Sequence, residues 1–250
     1  MTSDGDLLQN SDERPMTPLV FIHGGGLDSR CWDRLLPHLA GPALAVDLPG
    51  RGEHPAPLHS VRLADCATAV VDDIDAAGFA EVVLVGHSLA GCSMPAMVDL
   101  LGHRVHHAVF VACTVPENGC SAFDTLEPDI QSRIREAPES FDPRPMEPAL
   151  AKIVLGNDLD EEQLSWCVER LVPEAPHLTT DPVDLSPLRA TIPRTWVRTL
   201  QDIIVSPEKQ LRFAHNVGNC PVIDLDAGHM CMISRPEALG AMLNDLVTSR

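Results

Sequence analysis

The sequence predicts an α/β fold in which a mostly parallel central sheet carries helices on both faces. Runs of apolar, often β-branched residues typical of strands alternate with helical patterns, notably at residues 63–77 and 88–101. Strands that alternate with helices favour a parallel sheet whose crossover helices cover both faces. The six strand-like runs are residues 19–22, 43–47, 82–85, 108–112, 195–199 and 222–225.

The 250 residues are enough for one domain with a substantial core. We expect residues 1–17, which are polar and acidic, to form a flexible tail, and residues 18–250 to form the single domain. A segment at about residues 116–188 breaks the alternation of strands and helices and is rich in proline and acidic residues. Its short amphipathic stretches predict a helical insertion that packs over the edge of the sheet as a small cap.

The acidic composition argues against some classes of partner. The chain has 36 acidic and 18 basic residues and a formal net charge of −18, which disfavours binding to nucleic acid or to an anionic membrane surface. No apolar run is long enough to span a bilayer, and the first residues lack the apolar core of a signal peptide. Eight scattered cysteines without a Cys-x-x-Cys pair indicate buried free thiols, no metal site and a cytoplasmic protein. Since there is no heptad seam, we expect a monomer or a weak dimer.

One serine stands in a short motif that is typical of a nucleophile elbow. The sequence GHSLAG at residues 86–91 follows an apolar run, so a strand, a sharp turn and a helix are expected there. Small neighbours leave room for the strained turn that exposes the hydroxyl of Ser88 above the strand. Ala90 stands at the place of the usual second glycine, with Gly91 one position later. Taken alone, the six residues also fit a Gly/Ser turn of a nucleotide-binding fold or a plain loop.

A serine hydroxyl needs a base and an orienting acid to act as a nucleophile at neutral pH. His229 is the best base, because it follows the strand-like run at residues 222–225 and a glycine that permits a tight turn. Asp202 is the best acid, since it lies on the loop that leaves the strand-like run at residues 195–199. Both therefore follow the carboxyl ends of strands, where the ligand sites of open α/β sheets gather. Asp226 remains a weaker alternative, because it is very close to His229 in sequence.

A glycine run after the first strand-like segment can supply backbone donors to the same site. The sequence HGGG at residues 23–26 lets amide groups turn inward, and acyl transfer needs such donors for the oxyanion of its tetrahedral intermediate. We expect the amides of Gly25 and Leu89 to form this oxyanion hole. His87 flanks the serine and is interpreted as packing or as support on the oxyanion side. A phosphate-binding glycine loop is disfavoured, since no Gly-Lys-Ser/Thr ending is present.

These motifs together resemble those of the α/β-hydrolase superfamily, whose chain order is serine, acid and histidine. The loop VDLPGRG at residues 46–52 resembles the segment after the family's fourth strand, and the resemblance extends from about Pro18 onward. A narrower similarity, to the small methylesterase and hydroxynitrile-lyase branch, is carried by residues 172–176, 192–202 and 227–230. The resemblance implies the α/β-hydrolase fold with a minimal sheet, a small helical cap between the sixth strand and the acid, and no cofactor.

Two positions favour an esterase over a lyase within this branch. The similar lyases carry a lysine directly after the catalytic histidine and a hydroxyl residue near the oxyanion loop, whereas Met230 follows His229 and Gly24 follows His23 here. An apolar methionine cannot stabilise cyanide, because that needs a cation. We therefore predict a serine hydrolase that cleaves a small to medium, largely apolar carboxylic ester through an acyl-enzyme, with methyl esters among the candidates.

The substrate is expected to be a small-molecule ester bound in an apolar pocket. The acidic surface disfavours a polyanionic substrate such as a coenzyme A thioester. A lyase or another tailoring enzyme of secondary metabolism with the same Ser/His pair is an alternative, and so is a small-molecule receptor with residual hydrolysis. The residues expected to line the pocket are Leu27, Met94, Phe123, Trp166, Met230 and Met232.

Overall fold

A six-stranded sheet, parallel throughout, forms the centre of the part of the chain that the computed structural model describes, namely residues 16–136, 144–189, 192–218 and 220–248. The strands are β1 (Leu19–Ile22), β2 (Ala43–Val46), β3 (Val82–His87), β4 (Val105–Val111), β5 (Arg194–Thr199) and β6 (Val222–Leu225). Their order across the sheet is β2-β1-β3-β4-β5-β6. The parallel α/β architecture predicted from the sequence is confirmed. The predicted tail falls mostly on residues 1–15, which lie outside the described residues.

Helices of both kinds connect the strands in the described residues. The α-helices are α1 (Leu63–Ala76), α2 (Ala90–Leu101), α3 (Pro128–Glu136), α4 (Pro148–Leu155), α5 (Glu161–Val168), α6 (His177–Thr180), α7 (Pro207–Asn216), α8 (Cys231–Ser234) and α9 (Pro236–Thr248). Short 3₁₀ helices occupy Ser29–Trp32, Leu36–His38, Leu58–Ser60, Gly102–Arg104, Phe123–Thr125 and Ser186–Arg189.

The sheet separates two apolar cores. Because successive side chains of a strand point to opposite faces, Val20 of β1 belongs to one core and Phe21 to the other. The first core is closed by α1, α2 and α7, and the second by α8, α9 and part of the cap. Burial on both faces explains why β1 and β3 are continuous apolar runs instead of alternating ones.

Strand β4 begins three residues earlier than the apolar pattern predicts. The additional residues include His106 and His107, whose polar rings interrupt the apolar run by which a buried strand is predicted from the sequence. His107 is buried, and its Nε2 lies 2.9 Å from the Thr195 hydroxyl on the neighbouring strand β5. Nε2 of His106 lies 2.9 Å from the carboxylate of Glu81. A strand can therefore include such residues where neighbouring side chains satisfy the imidazoles.

The segment between β4 and β5 includes residues 116–188, where the sequence analysis expects a helical cap, and we refer to this segment as the cap. Its helices are α3 to α6, and the described part of α3 has no buried residue. Leu155 of α4 and Cys167 of α5 belong to the second core, which ties this half of the cap to the sheet. Leu178 of α6 belongs to the first core. The cap therefore packs against the domain through α4, α5 and α6.

Helix α2 passes very close to the segment after β4 at Gly91. A Cβ added to Gly91 would lie 2.6 Å from the carbonyl oxygen of Thr114 and 2.9 Å from Cβ of Cys113. Moving a backbone atom such as the Thr114 carbonyl oxygen costs free energy. We therefore expect Gly91→Ala to lower the free energy of unfolding by about 1–3 kcal/mol, measured by urea denaturation. The control is Asp99→Ala, an exposed change on the same helix expected to stay within about 0.5 kcal/mol of wild type. Equal stabilities of the two variants would contradict this account of the close approach.

All eight cysteines are free thiols, and all except Cys120 are buried. Burial raises the pKa of the Cys66 and Cys92 thiols to about 12, so these side chains act as small apolar residues. Among the described residues, no helix combines the length and the apolar character needed to cross a bilayer.

Candidate active site

Ser88 lies on a sharp turn between β3 and α2. Its φ is +54°, a left-handed conformation that costs free energy for a residue with a side chain. Two glycines make room for the turn. A Cβ on Gly86 would lie 2.2 Å from Sδ of Met94, and a Cβ on Gly24 would lie 2.8 Å from Cβ of Ser88. The strained serine is therefore held by close packing on both sides, as in a nucleophile elbow.

The structure brings Ser88, His229 and Asp202 into one hydrogen-bonded chain. The Ser88 hydroxyl lies 2.9 Å from Nε2 of His229, and Nδ1 of His229 lies 2.7 Å from Oδ2 of Asp202. The carboxylate is fully enclosed and the imidazole nearly so, while the serine stays partly accessible. With the proton on Nδ1 bound by Asp202, the lone pair of Nε2 points at the Ser88 hydroxyl. This is the arrangement in which a histidine can accept the serine proton.

Asp202 is held as a carboxylate by a dense set of donors. The amides of Ile204 and Val205 donate to Oδ1 at 2.8 and 2.9 Å, and the Thr199 hydroxyl donates to Oδ2 at 3.0 Å. Burial by itself opposes the charge, but the interactions with His229 and the two amides outweigh it, so the pKa of Asp202 lies below its usual value. The acid is therefore ionised and immobile beside the imidazole.

The competing carboxylates near His229 are engaged elsewhere. Asp226, the weaker alternative for the acid, accepts a hydrogen bond of 2.6 Å from Gln201. Asp224 pairs with Arg198 through two hydrogen bonds of 2.7 Å. Neither is bonded to His229, so among these acids the structure places Asp202 alone beside the base.

The amides proposed for the oxyanion hole lie next to the serine. Gly25 and Leu89 line the same cavity as Ser88, and a Cβ on Gly25 would lie 3.7 Å from Cβ of Leu89. Neither amide donates a hydrogen bond to any residue that the structure describes. Two backbone donors are thus available beside the nucleophile, and the N-terminus of α2 adds its dipole there.

Two buried histidines support the loops of the site. His87 lies 2.9 Å through Nε2 from the carbonyl oxygen of His229, and its ring packs at 4.7 Å from the His229 ring. His23 accepts a hydrogen bond of 3.1 Å from the Leu48 amide at Nε2, and its Nδ1 lies 2.9 Å from the Gly24 carbonyl oxygen. Burial, with smaller contributions from Arg51 for His23 and from His229 for His87, lowers the pKa of each imidazole to about 3.

Because these two imidazoles fold in the neutral form, the stability should depend on pH. The unfolded chain binds their protons near pH 6.5, whereas the folded chain binds them near pH 3, so their contribution is complete above pH 6.5 and is lost as the pH falls. We expect each to lower the free energy of unfolding by up to about 1.4 kcal/mol per pH unit below 6.5. Urea denaturation at pH 7.5, 6.5, 5.5 and 4.5 measures the slope. His87→Gln should reduce it and exposed His59→Gln should not; a flat profile in wild type would contradict the assignment.

The nucleophile opens into a cavity of about 780 Å³ with a mostly apolar wall. Leu27, Phe123 and Met230 line it, as the sequence suggested. The predictions for Met94, Trp166 and Met232 are wrong, since none of the three lines the cavity. Both methionines are fully buried in the cores. The ring of Trp166 packs instead against the guanidinium groups of two arginines, Arg34 at 5.1 Å and Arg170 at 4.1 Å from the ring centroid.

The cap contributes Glu174, which the sequence analysis did not identify. Its carboxylate accepts hydrogen bonds from the amides of Gly26 at 2.8 Å and Ala175 at 2.6 Å, and it forms an ion pair with the buried Arg51. A Cβ on Gly25 would lie 3.1 Å from the same carboxylate. Glu174 therefore fixes the glycine loop of the oxyanion hole to the cap.

Two further side chains position the acid and the base. Asp158 of the cap accepts a hydrogen bond of 2.6 Å from the amide of Gly228, directly before His229. A Cβ on Gly228 would clash with the other Asp158 oxygen, so a larger residue there would have to displace the Asp158 side chain. Gln210 of α7 donates to the Thr199 hydroxyl at 2.9 Å and lies 3.4 Å from the Asp202 carboxylate. No local sequence signal marks either contact.

Comparison with known proteins shows which family the chain belongs to. The model of the Alpha/beta hydrolase family matches residues 19–241, so the chain is a member of that family. A rice protein (Oryza sativa) named as the probable esterase PIR7A is 36% identical over 113 residues, which cover 43% of this chain and 43% of the rice protein. The match thus spans less than half of that relative's length. Methylesterase 17 of Arabidopsis thaliana is 23% identical over 260 residues, which cover 95% of this chain and 94% of the relative.

Solved structures show the same fold. An extracellular alpha/beta-hydrolase from a Paenibacillus species superposes with a TM-score of 0.81 at 17% identity, over 92% of this chain and 98% of that one. The likeness covers most of both chains and confirms the α/β-hydrolase fold that the motifs of the sequence imply.

Proposed function

We propose that the protein is a carboxylic ester hydrolase that uses Ser88 as its nucleophile. The observation that carries this proposal is the continuous chain from the Ser88 hydroxyl through His229 to Asp202, at 2.9 and 2.7 Å, on the wall of an apolar cavity. The names of the relatives, which are esterases and methylesterases, support the same reaction class. The apolar wall suits a small to medium ester, and methyl esters are the first candidates.

The reaction begins when Oγ of Ser88 attacks the ester carbonyl carbon while its proton passes to Nε2 of His229. Asp202 holds the imidazole and stabilises its cation, and the amides of Gly25 and Leu89 donate hydrogen bonds to the oxyanion. The carbon–oxygen bond to the alcohol then breaks, and His229 returns the proton to the leaving oxygen. Water attacks the acyl-enzyme with His229 as base, which releases the acid and restores the Ser88 hydroxyl.

Product analysis in water enriched in ¹⁸O tests this proposal directly. A panel of methyl and p-nitrophenyl esters should give the alcohol and an acid that carries one ¹⁸O atom, because the acyl–oxygen bond is the one that breaks. Ser88→Ala should abolish this product, whereas Ser60→Ala, a change of an exposed serine outside the cavity, should not alter it. Cleavage of a carbon–carbon bond without ¹⁸O incorporation would favour a lyase, and binding without turnover would favour a receptor.

A further inference from the structure

The cavity is lined by a charge pattern opposite to that of the whole chain. The chain has twice as many acidic as basic residues, yet Arg135, Arg144 and Lys209 all line the cavity. Glu174 is the one carboxylate in the described lining, and it is already bound to Arg51 and the Gly26 amide. The wall therefore carries an excess of positive charge next to an apolar interior.

Of the two cationic side chains Lys209 and Arg135, Lys209 is the more enclosed. Its ammonium donates a hydrogen bond of 2.6 Å to the carbonyl oxygen of Thr125 and lies 6.0 Å from the ring of Phe213, both of which line the cavity. It forms no ion pair with a carboxylate in the described ranges of the chain. Burial lowers its pKa, and the charge of Glu127 offsets only part of that effect. A partly buried ammonium whose remaining N–H groups have no acceptor among the described residues favours an anionic ligand.

Arg135 stands on the same wall with its guanidinium 5.2 Å from the ring of Phe123. Its hydrogen bond within the described structure is a long one, 3.4 Å to the side chain of Gln131. The ring holds the guanidinium at the rim of the cavity, and most of its N–H donors remain available. Arg144 also lines the cavity but already interacts within the chain, so the anion site is built here from Lys209 and Arg135.

We propose that the preferred substrate is a monoester of an apolar dicarboxylic acid, whose free carboxylate binds Lys209 and Arg135 while its ester lies at Ser88. This inference rests on the proposed function and names the substrate class of the same site. The apolar wall between the two ends receives the connecting hydrocarbon, and the cations receive the distal charge. A singly charged carboxylate loses less hydration than a phosphate on entering such a cavity.

Matched ester pairs test the proposal. The monomethyl and dimethyl esters of linear dicarboxylic acids of five to ten carbons differ only in the distal charge. For the best chain length we expect wild type to show a kcat/KM at least about tenfold higher for the monomethyl ester, the size expected for a charged hydrogen bond. Lys209→Met should bring the ratio of the two kcat/KM values most of the way towards one, and Arg135→Gln should lower it in part, because each change removes one of the two cations that bind the distal carboxylate. Added salt should reduce the preference as well.

The neighbouring change Arg133→Gln is the control, since Arg133 is exposed on the same helix but does not line the cavity. Lys209→Gln provides a second neutral variant if Lys209→Met loses its thermal transition. Three results would overturn this inference and leave the proposed function standing. They are equal kcat/KM values for both esters in wild type, an unchanged preference in both Lys209 variants, and a loss of the preference in Arg133→Gln as large as that in Lys209→Met. Turnover of neither the dicarboxylic nor the neutral esters would overturn the proposed function and this inference with it.

Discussion

Replacing Ser88 by alanine is expected to lower kcat for ester hydrolysis by about 10⁴-fold or more. The substitution removes the oxygen that lies 2.9 Å from Nε2 of His229, so no acyl-enzyme can form. The fold should be retained, because the side chain becomes smaller at a position that is only partly buried. Steady-state kinetics on a p-nitrophenyl ester, with a thermal unfolding curve for each variant, measures the effect.

The matched control for this prediction is Ser60→Ala, a change of an exposed serine whose hydroxyl donates to the carbonyl oxygen of Pro57. Its kcat should stay within about twofold of wild type. If folded Ser88→Ala kept more than a tenth of the wild-type kcat, the attacking group would have to be another residue or a water molecule.

Replacing Asp202 by asparagine is expected to lower kcat by about 10³- to 10⁴-fold. An amide at this position presents an N–H to Nδ1 of His229, which favours the tautomer whose proton is on Nε2. That nitrogen can then no longer accept the Ser88 proton across the 2.9 Å contact. The same kinetic assay measures the loss, and KM should change much less than kcat because Asp202 is not among the lining residues of the cavity.

Asp226→Asn serves as the control, because Asp226 bonds to Gln201 and lies on the exposed side of the loop. We expect its kcat to remain within about threefold of wild type. A large loss of kcat in Asp226→Asn together with a small loss in Asp202→Asn would show that Asp226, and not Asp202, is the catalytic acid.

The sheet and the elbow could be predicted from the sequence because their signals are local. The apolar runs of β1 and β3 are buried on both faces, and Gly86 before the turn is required by the packing of Met94 on the helix that follows. His229 and Asp202 could be predicted as well, since each lies on the loop just past the carboxyl end of a strand and the family order restricts the choice. The early start of β4 could not be predicted from the sequence, because the polar residues His106 and His107 interrupt its apolar pattern.

The contacts of the cap could not be predicted, since they join residues that are far apart in the chain. Glu174 reaches Gly26 across 148 positions, and Asp158 reaches Gly228 across 70. The lining of the cavity depends on the same placement. Met94 was a reasonable candidate by its position after the serine, but α2 turns this side chain onto Gly86 and into the core. Periodicity indicates that a helical face is buried, not which neighbour buries it.

The most direct test of the account is the intact mass of the protein after exposure to a small dialkyl fluorophosphonate. Such a reagent phosphonylates a serine only when a neighbouring base activates it. We expect one adduct per chain on wild type, peptide mapping that places it on Ser88, and no adduct on Ser88→Ala under the same conditions. An unmodified wild-type protein that is folded, or an equal adduct on Ser88→Ala, would contradict the assignment of Ser88 as the activated nucleophile.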